Sequence, residues 1–201
     1  YHVGEVYFDK SLESAVRWCH EAAELGAARL GHCTALGLDP SIAIARRDQA
    51  HERESILERL SQIRYDLRHA EALRAHGVVI DCDALQTEQA DLSARDYAMR
   101  YRRPYDETRV EEIRLRQTFV LNCLAQLGTV IETCPTSNMR IGAVPSEAAH
   151  PVHNFLISDV PLTVGADDPG LFDCRLDQEV DWVLRHGCLL YTSPSPRDLV
   201  I

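Results

Sequence analysis

The stretch Val160-Pro161-Leu162-Thr163-Val164-Gly165-Ala166-Asp167-Asp168-Pro169 joins a short apolar run to two adjacent acids. The apolar run predicts a short buried strand that ends just before Asp167 and Asp168. Two carboxylates at the mouth of a buried strand are costly unless a cation holds them. A metal ion at the strand end would be such a cation.

Polar groups occur at two similar places upstream. His2-Val3-Gly4-Glu5 is predicted to follow the tail of a strand, and Gly31-His32 follows the apolar run Ala27-Ala28-Arg29-Leu30. Two imidazoles and three carboxylates therefore lie where short strands are predicted to end. This pattern indicates one metal-assisted hydrolytic site assembled from strand ends.

Helices are predicted between these strands, which is the repeat of a parallel α/β fold. Each helix has a start or stop signal, such as a capping serine, a capping box or a terminal glycine. The predicted helices run from Ser11 to about Gly26, from Thr108 to about Leu127, from Ser146 to about Ser158 and from Leu176 to about His186. Further strands are predicted at 27–31, 129–133 and 160–164.

The connection from the strand predicted at 27–31 to the strand predicted at 129–133 is unusually long. About 100 residues separate His32 from Glu132, whereas a plain strand–helix–strand step needs roughly 30–40. We predict a helical composition from Ser41 to about His76, a brief strand or a turn at 77–83, and a helix plus loop at 86–105. Residues 45–110 are therefore interpreted as a helical insertion at the active-site end, which would form a lid or a homo-oligomer surface.

Composition narrows the classes of partner. The chain has 201 residues with 21 Lys and Arg against 31 Asp and Glu, a formal charge of −10, which argues against a nucleic-acid surface. No apolar run approaches the roughly 20 residues of a membrane span, and the start does not resemble a signal peptide.

The seven cysteines are odd in number and lack CxxC spacing, which favours free thiols in a reducing, cytoplasmic compartment.

Four segments carry a resemblance to a known family, and they occur in the family's order. The chain resembles the adenosine/AMP deaminase family of metal-dependent amidohydrolases. The resemblance implies a (β/α)₈ barrel, a Zn²⁺ cofactor and hydrolytic deamination of adenosine or a related purine nucleoside or nucleotide. The segments are His2-Val3-Gly4-Glu5, Gly31-His32-Cys33-Thr34-Ala35-Leu36, Glu132-Thr133-Cys134-Pro135-Thr136-Ser137-Asn138 and Gly165-Ala166-Asp167-Asp168-Pro169.

The resemblance implies roles for three residues at the metal. His2 and Asp167 would be metal ligands, and His32 would orient the metal-bound water and help to deprotonate it. An imidazole beside a divalent ion stays neutral, so it can act as a base near pH 7.

Three further residues would serve the purine substrate. Glu5 would donate a proton to the purine ring, Asp168 would hydrogen-bond a ring nitrogen, and Gly4 would let the backbone approach the base. A carboxyl against an apolar base can have its pKa raised and so act as an acid.

Other polar residues of the motifs are expected to be structural. Glu132, Ser137 and Asn138 would close the loop after their strand through side-chain hydrogen bonds. His150 and His153 are interpreted as packing or surface residues.

The chain also departs from the family. No His-x-His occurs in it, although the family has this pair near its first strand, and a (β/α)₈ barrel usually takes about 250 residues. We therefore expect residues 1–190 to be the C-terminal half of the barrel, strands five to eight, and to be inactive or unstable alone. Residues 191–201 are expected to be a non-native or disordered tail.

Two alternatives to a purine deaminase stay open. One is a different amidohydrolase-type reaction on another ring or amide. The other is a non-catalytic assembly or defence-associated deaminase-like protein, in which the insertion drives oligomerisation.

Overall fold

A parallel sheet of four short strands forms the centre of the fold. The computed structural model describes residues 1–45, 51–97 and 99–188. Its strands are β1 (His2–Val3), β2 (Arg29–His32), β3 (His51–Ser55), β4 (Arg100–Pro104), β5 (Val130–Thr133) and β6 (Leu162–Val164). The sheet has the order β1-β2-β5-β6 with every pair parallel, and β3 and β4 form a separate antiparallel pair.

Helices connect the strands of the sheet. The α-helices of the described residues are α1 (Leu12–Glu24), α2 (Pro40–Ala45), α3 (Ile56–Arg68), α4 (Ala70–Ala75), α5 (Cys82–Ser93), α6 (Glu107–Leu127), α7 (Pro135–Arg140), α8 (Val152–Ile157), α9 (Pro169–Phe172) and α10 (Leu176–Cys188). Short 3₁₀ helices lie at Thr34–Leu36 and Glu147–Ala149. None of the described helices has the length and apolar character that crossing a membrane requires.

The helix signals predict most of the element ends. The Ser11 hydroxyl accepts a hydrogen bond from the Ser14 backbone N–H and so caps α1. The start of α6 differs from the prediction, because its cap is Asp106, which accepts from the Arg109 N–H, and not Thr108. Gly128 ends α6 in the left-handed conformation, with φ +69°, as a C-terminal glycine does.

The helix predicted from Ser146 to Ser158 is interrupted in the structure. A single turn of 3₁₀ helix ends at Ala149, and α8 begins only at Val152. His150 lies between them with ψ 132°. The reason is local, since the ring of Pro151 disfavours a helical conformation in the residue before it.

The long segment between β2 and β5 is not purely helical. β3 pairs with β4 from His51↔Pro104 to Ser55↔Arg100 and so encloses α3, α4 and α5. The helical composition predicted from Ser41 to about His76 does not hold at β3. Of the brief strand or turn predicted at 77–83, no strand forms, and α5 already begins at Cys82. β3 and β4 are rich in charged residues, and each is stabilised by pairing with the other. Because this pairing joins distant parts of the chain, the local pattern of apolar residues does not predict it. The tail at 191–201 lies outside the described residues.

Apolar residues from α1, α6 and the sheet form the main core. They are buried between the helical layer and the strands, where each large side chain contributes about 1.5–3 kcal/mol. The set includes Val16, Cys19, Leu30, Val120, Leu124 and Ile131. A smaller cluster of Ile56, Leu60, Ile63 and Leu92 joins α3 to α5.

Buried ion pairs join α6 to two other helices. Glu13 on α1 accepts from Arg109 Nε at 2.7 Å and Nη2 at 2.9 Å. Asp66 on α3 accepts from Arg116 Nη1 at 2.6 Å and Nη2 at 3.0 Å. The segment containing α3 is therefore fixed to the helical layer of the sheet by one bidentate charge pair, Asp66–Arg116, as well as by apolar contacts.

We expect Gly4→Ala to destabilise the chain by about 2–4 kcal/mol, from backbone strain and overpacking together. Gly4 has φ +64°, and an added Cβ would lie 2.5 Å from Cys19 Sγ. Gly26→Ala is the matched control, since Gly26 has φ +94° and nothing within 4 Å of its Cβ position. Urea unfolding should show the smaller loss for the control, about 1–2 kcal/mol. Equal losses would mean that the contact with Cys19 does not restrict Gly4.

Candidate active site at the carboxyl edge of the sheet

Three of the predicted site residues come together where β1 and β2 end. His2, Glu5 and His32 each offer a ligand atom, and these atoms lie within 4.8 Å of one another. Glu5 Oε1 is 3.5 Å from His32 Nε2, and the rings of His2 and His32 meet edge to face with centroids 4.6 Å apart. Imidazole and carboxylate are donors that Zn²⁺ accepts, so the donor chemistry fits a borderline divalent ion.

Gly31 makes room for the His2 ring. The parallel register pairs His2 with Gly31, and a Cβ on Gly31 would lie only 2.7 Å from His2 Cδ2. Any larger residue at this position would push the imidazole away from His32. The glycine of the Gly31-His32 motif therefore positions the metal-ligand candidate on the neighbouring strand.

Asp167 and Asp168 lie at the same edge of the sheet, after β6. Ser137 Oγ donates to Asp167 Oδ2 at 2.6 Å, and Asp168 precedes α9 as its N-terminal flanking residue. Both acids are exposed. Within the described residues, neither acid belongs to the 4.8 Å cluster of His2, Glu5 and His32.

Cys134 lies among the acids of this edge. Burial raises its pKa to about 12, and the negative charges of Glu132, Asp167, Glu179 and Glu5 act in the same direction. The thiol is therefore protonated at neutral pH, and a protonated thiol is a poor nucleophile.

Left-handed backbone conformations are concentrated at this edge. Outside glycine, positive φ angles in the described residues occur at His32 (+68°), Cys33 (+48°), Asp167 (+56°) and Asp173 (+47°). Such conformations cost about 1–2 kcal/mol per residue, and strained backbone is typical of functional sites. Apart from Asp173, these residues belong to the two strand-end motifs, a signal that is invisible in the sequence.

Two residues behind His32 have a role at the site that their sequence pattern did not indicate. The side-chain amide of Asn138, on α7, lies 2.9 Å from His32 Nδ1 and 3.3 Å from His150 Nε2. All three side chains are buried. Asn138 and His150 therefore hold the His32 ring in place, whereas we expected Asn138 only to close its loop and His150 only to pack. The CPTSN spacing after β5 was the available signal for Asn138.

The Asn138 amide fixes where the proton of the His32 ring lies. Its oxygen is 2.9 Å from His32 Nδ1, and an amide oxygen can only accept, so His32 Nδ1 donates to it. A neutral His32 ring then carries its proton on Nδ1 and leaves the lone pair of Nε2 toward Glu5. Behind the amide, burial lowers the pKa of His150 to about 3, and the Val152 backbone N–H donates to His150 Nδ1 at 3.1 Å.

This tautomer assignment has a direct spectroscopic test. Long-range ¹H–¹⁵N spectra of the histidine-labelled chain at pH 7 should show His32 protonated on Nδ1. Replacing Asn138 with leucine should free the His32 tautomer and cost about 1–3 kcal/mol, because buried ring nitrogens lose a partner. A proton found on His32 Nε2 would contradict the assignment.

The chain is also similar to known proteins. Residues 76–190 match a family model described as "Adenosine deaminase". This is more than half of the chain. The chain belongs to the adenosine deaminase family. Asp167 and Asp168 lie within the matched residues, whereas His2, Glu5 and His32 precede them.

Curated relatives of this family member are similar over shorter stretches. An aminodeoxyfutalosine deaminase from Acidothermus cellulolyticus is 41% identical over 64 residues, 32% of this chain and 18% of the relative. An adenine deaminase from Rhizobium leguminosarum is 41% identical over 58 residues, 29% of this chain and 18% of the relative. An aminodeoxyfutalosine deaminase from Streptomyces coelicolor is 39% identical over 56 residues, 28% and 14% of the two chains. The chain thus spans about a fifth or less of the length of these relatives.

Proposed function

We propose that this chain forms part of a Zn²⁺-dependent deaminase that replaces the amino group of a purine ring with oxygen and releases ammonia. The observation that carries the proposal is the cluster of His2, Glu5 and His32 at the carboxyl edge of a parallel sheet, in a member of the adenosine deaminase family. Active sites of parallel β/α folds are built at this edge.

His2 and Asp167 are the proposed metal ligands. The Ser137 hydrogen bond restrains one oxygen of Asp167, and Gly31 leaves space for the His2 ring; such outer contacts orient metal ligands. A bound divalent ion supplies hydroxide near neutral pH by lowering the pKa of water. A tetrahedral site needs further ligands beyond these two, and we propose that the sheet is strands five to eight of a (β/α)₈ barrel whose first strands supply them.

Three residues would act on the substrate and the nucleophile. Glu5 donates a proton to the purine ring nitrogen next to the carbon under attack. With Nε2 free of a proton, His32 orients the oxygen nucleophile and helps to deprotonate it, and Asn138 prevents the ring from turning. Asp168 hydrogen-bonds a ring nitrogen on the other side of the base, and Gly4 lets the base lie against the backbone.

The substrate class follows from the relatives and not from a pocket in this chain. The named relatives act on adenine and aminodeoxyfutalosine, and the resemblance points to adenosine or AMP. An aminopurine, free or as a nucleoside or nucleotide, is the proposed substrate class.

No disulfide links the described cysteines, which supports the proposed cytoplasmic location. A homo-oligomer surface on the segment from β3 to β4 is also a proposal.

The test is an ammonia-release assay of the whole zinc-loaded protein that contains this chain. Adenine, adenosine, AMP and aminodeoxyfutalosine would be supplied in parallel, and mass spectrometry would identify the products. Release of ammonia with conversion of one of these purines supports the proposal. Bound zinc without any turnover on this panel would contradict purine deamination and favour another amidohydrolase reaction.

A further inference from the structure

A second group of metal-binding side chains lies in the helical layer and shares no residue with the candidate active site. His20 and Glu24 lie on α1, and His69 is the C-terminal flanking residue of α3. Each offers one ligand atom, and these atoms lie within 4.8 Å of one another. Two imidazoles and one carboxylate are a donor set that zinc and related transition metals bind.

The three side chains face one cavity of about 460 Å³, which His76, Phe119 and Cys123 also line. His69 Nε2 is 3.3 Å from Glu24 Oε1, and the rings of His20 and His69 have centroids 5.1 Å apart. The side chains of His69 and Glu24 are 16% and 34% exposed. An ion can therefore reach the group from solvent.

The His20 ring is oriented as metal-binding imidazoles are. Its Nδ1 is hydrogen-bonded to the Tyr65 hydroxyl at 2.7 Å, which fixes the ring and leaves Nε2 as the coordinating atom. Burial raises the pKa of Tyr65 and lowers that of His20 to about 4. Tyr65 therefore stays a neutral hydroxyl, and the His20 ring is uncharged at pH 7.

A positive group already lies against these atoms. Arg68 Nε donates to His69 Nε2 at 3.1 Å, and its Nη2 donates to Glu24 Oε2 at 3.3 Å. The Arg68 side chain is 56% exposed, so it can turn into solvent at little cost. The Arg68 guanidinium thus shows that this place attracts a cation. It also occupies the lone pairs of His69 and Glu24 that a metal ion would use.

We propose that His20, Glu24 and His69 form a second binding site for a divalent transition metal such as Zn²⁺, which displaces Arg68 when it binds. The ion would join α1, which packs beside the sheet, to the end of α3 in the segment enclosed by β3 and β4. Metal binding here would stabilise the attachment of that segment, because a ligand that binds only the folded state stabilises it. This proposal is independent of deamination.

The experiment is a Zn²⁺ titration by calorimetry on a background in which His2 and Asp167 are both replaced by alanine. On this background we compare Glu24→Gln, His20→Gln, Arg68→Gln and His76→Gln. Glu24→Gln keeps the buried ring contacts of His20 intact, so it tests the site even where His20→Gln fails to fold. His76→Gln is the matched control, because His76 lines the same cavity but is outside the ligand group. Ring NMR signals of His20 and His69 report the location of the ion.

The expected result is one Zn²⁺ bound by the background protein. Glu24→Gln and His20→Gln should weaken binding at least about tenfold, and His76→Gln should leave it unchanged. Arg68→Gln should tighten binding about two- to fivefold, since it removes the competing cation. No binding to the background protein, or equal binding by the Glu24→Gln and background proteins, would overturn the proposal.

Discussion

Replacing Arg109 with leucine is expected to destabilise the chain by about 3–5 kcal/mol, the typical cost of removing one partner from a buried ion pair. Arg109 donates two hydrogen bonds to Glu13 and two more to the carbonyl oxygens of Arg103 and Pro104. The side chains of Arg109 and Glu13 are only 6% and 4% exposed. The variant therefore leaves the buried Glu13 carboxylate with Arg103 as its remaining charged partner.

Urea unfolding at pH 7 measures this loss. Arg114→Leu on the same helix is the control, because Arg114 pairs with Asp39 at the surface, with the two side chains 41% and 45% exposed. The control should change stability by less than about 1 kcal/mol. A loss for Arg109→Leu no larger than that of the control would show that the Glu13 pair does not stabilise the fold.

Acid should weaken the same ion pair. Burial alone would raise the pKa of Glu13, but Arg103 and Arg109 outweigh it and hold the pKa well below its ordinary value of 4.5. A carboxyl with a depressed folded-state pKa stabilises the protein above its unfolded value, and that stability is lost as the pH falls below about 4.5. In Arg109→Leu this acid-dependent loss should be smaller, since the charged form is no longer favoured as strongly.

Replacing Glu5 with glutamine is expected to lower turnover of the proposed deaminase about 10²- to 10⁴-fold, the range for losing a general acid. The amide has the shape of the carboxyl but cannot give up a proton to a purine ring. Because His2 and Asp167 are unchanged, the zinc content should stay the same. The measurement is kcat on the substrate found by the ammonia-release assay, with bound zinc determined on the same samples.

Glu132→Gln is the matched control for Glu5→Gln. Glu132 lies at the same edge on β5, and its carboxylate pairs with Arg29 at 3.1 Å. It has no proposed role in the reaction, so its replacement should change kcat by no more than a few-fold. Similar losses in both variants would mean that general negative charge at this edge, and not proton donation by Glu5, supports the reaction.

The arrangement of strands and their polar ends was predictable from the sequence because its causes are local. Apolar runs followed by glycine or polar residues define β2, β5 and β6, and a capping serine and a terminal glycine define the ends of α1 and α6. Parallel strands then bring their carboxyl ends to one edge, which is why His2, Glu5 and His32 could be expected near one another.

Other features depend on distant contacts and could not be read in this way. β3 and β4 form because residues 51–55 meet residues 100–104, and neither stretch alternates between apolar and polar residues. The buried role of His150 depends on contacts with Asn138 and Val152, which a local pattern does not show. The group of His20, Glu24 and His69 brings together side chains of α1 and of the end of α3, which lie far apart along the chain. Groups of this kind form only when distant helices pack together, so a local sequence pattern does not predict them.

Zinc-dependent deamination is tested most directly by measuring ammonia release by the whole protein, as the wild type and as Asp167→Ala, with and without zinc. We expect turnover that a chelator removes and added zinc restores. In Asp167→Ala, turnover should fall at least about a hundredfold and site-bound zinc should be lost, because a protein ligand is missing. Full turnover by Asp167→Ala, or turnover that chelation leaves unchanged, would contradict a zinc-dependent deaminase with Asp167 as a ligand.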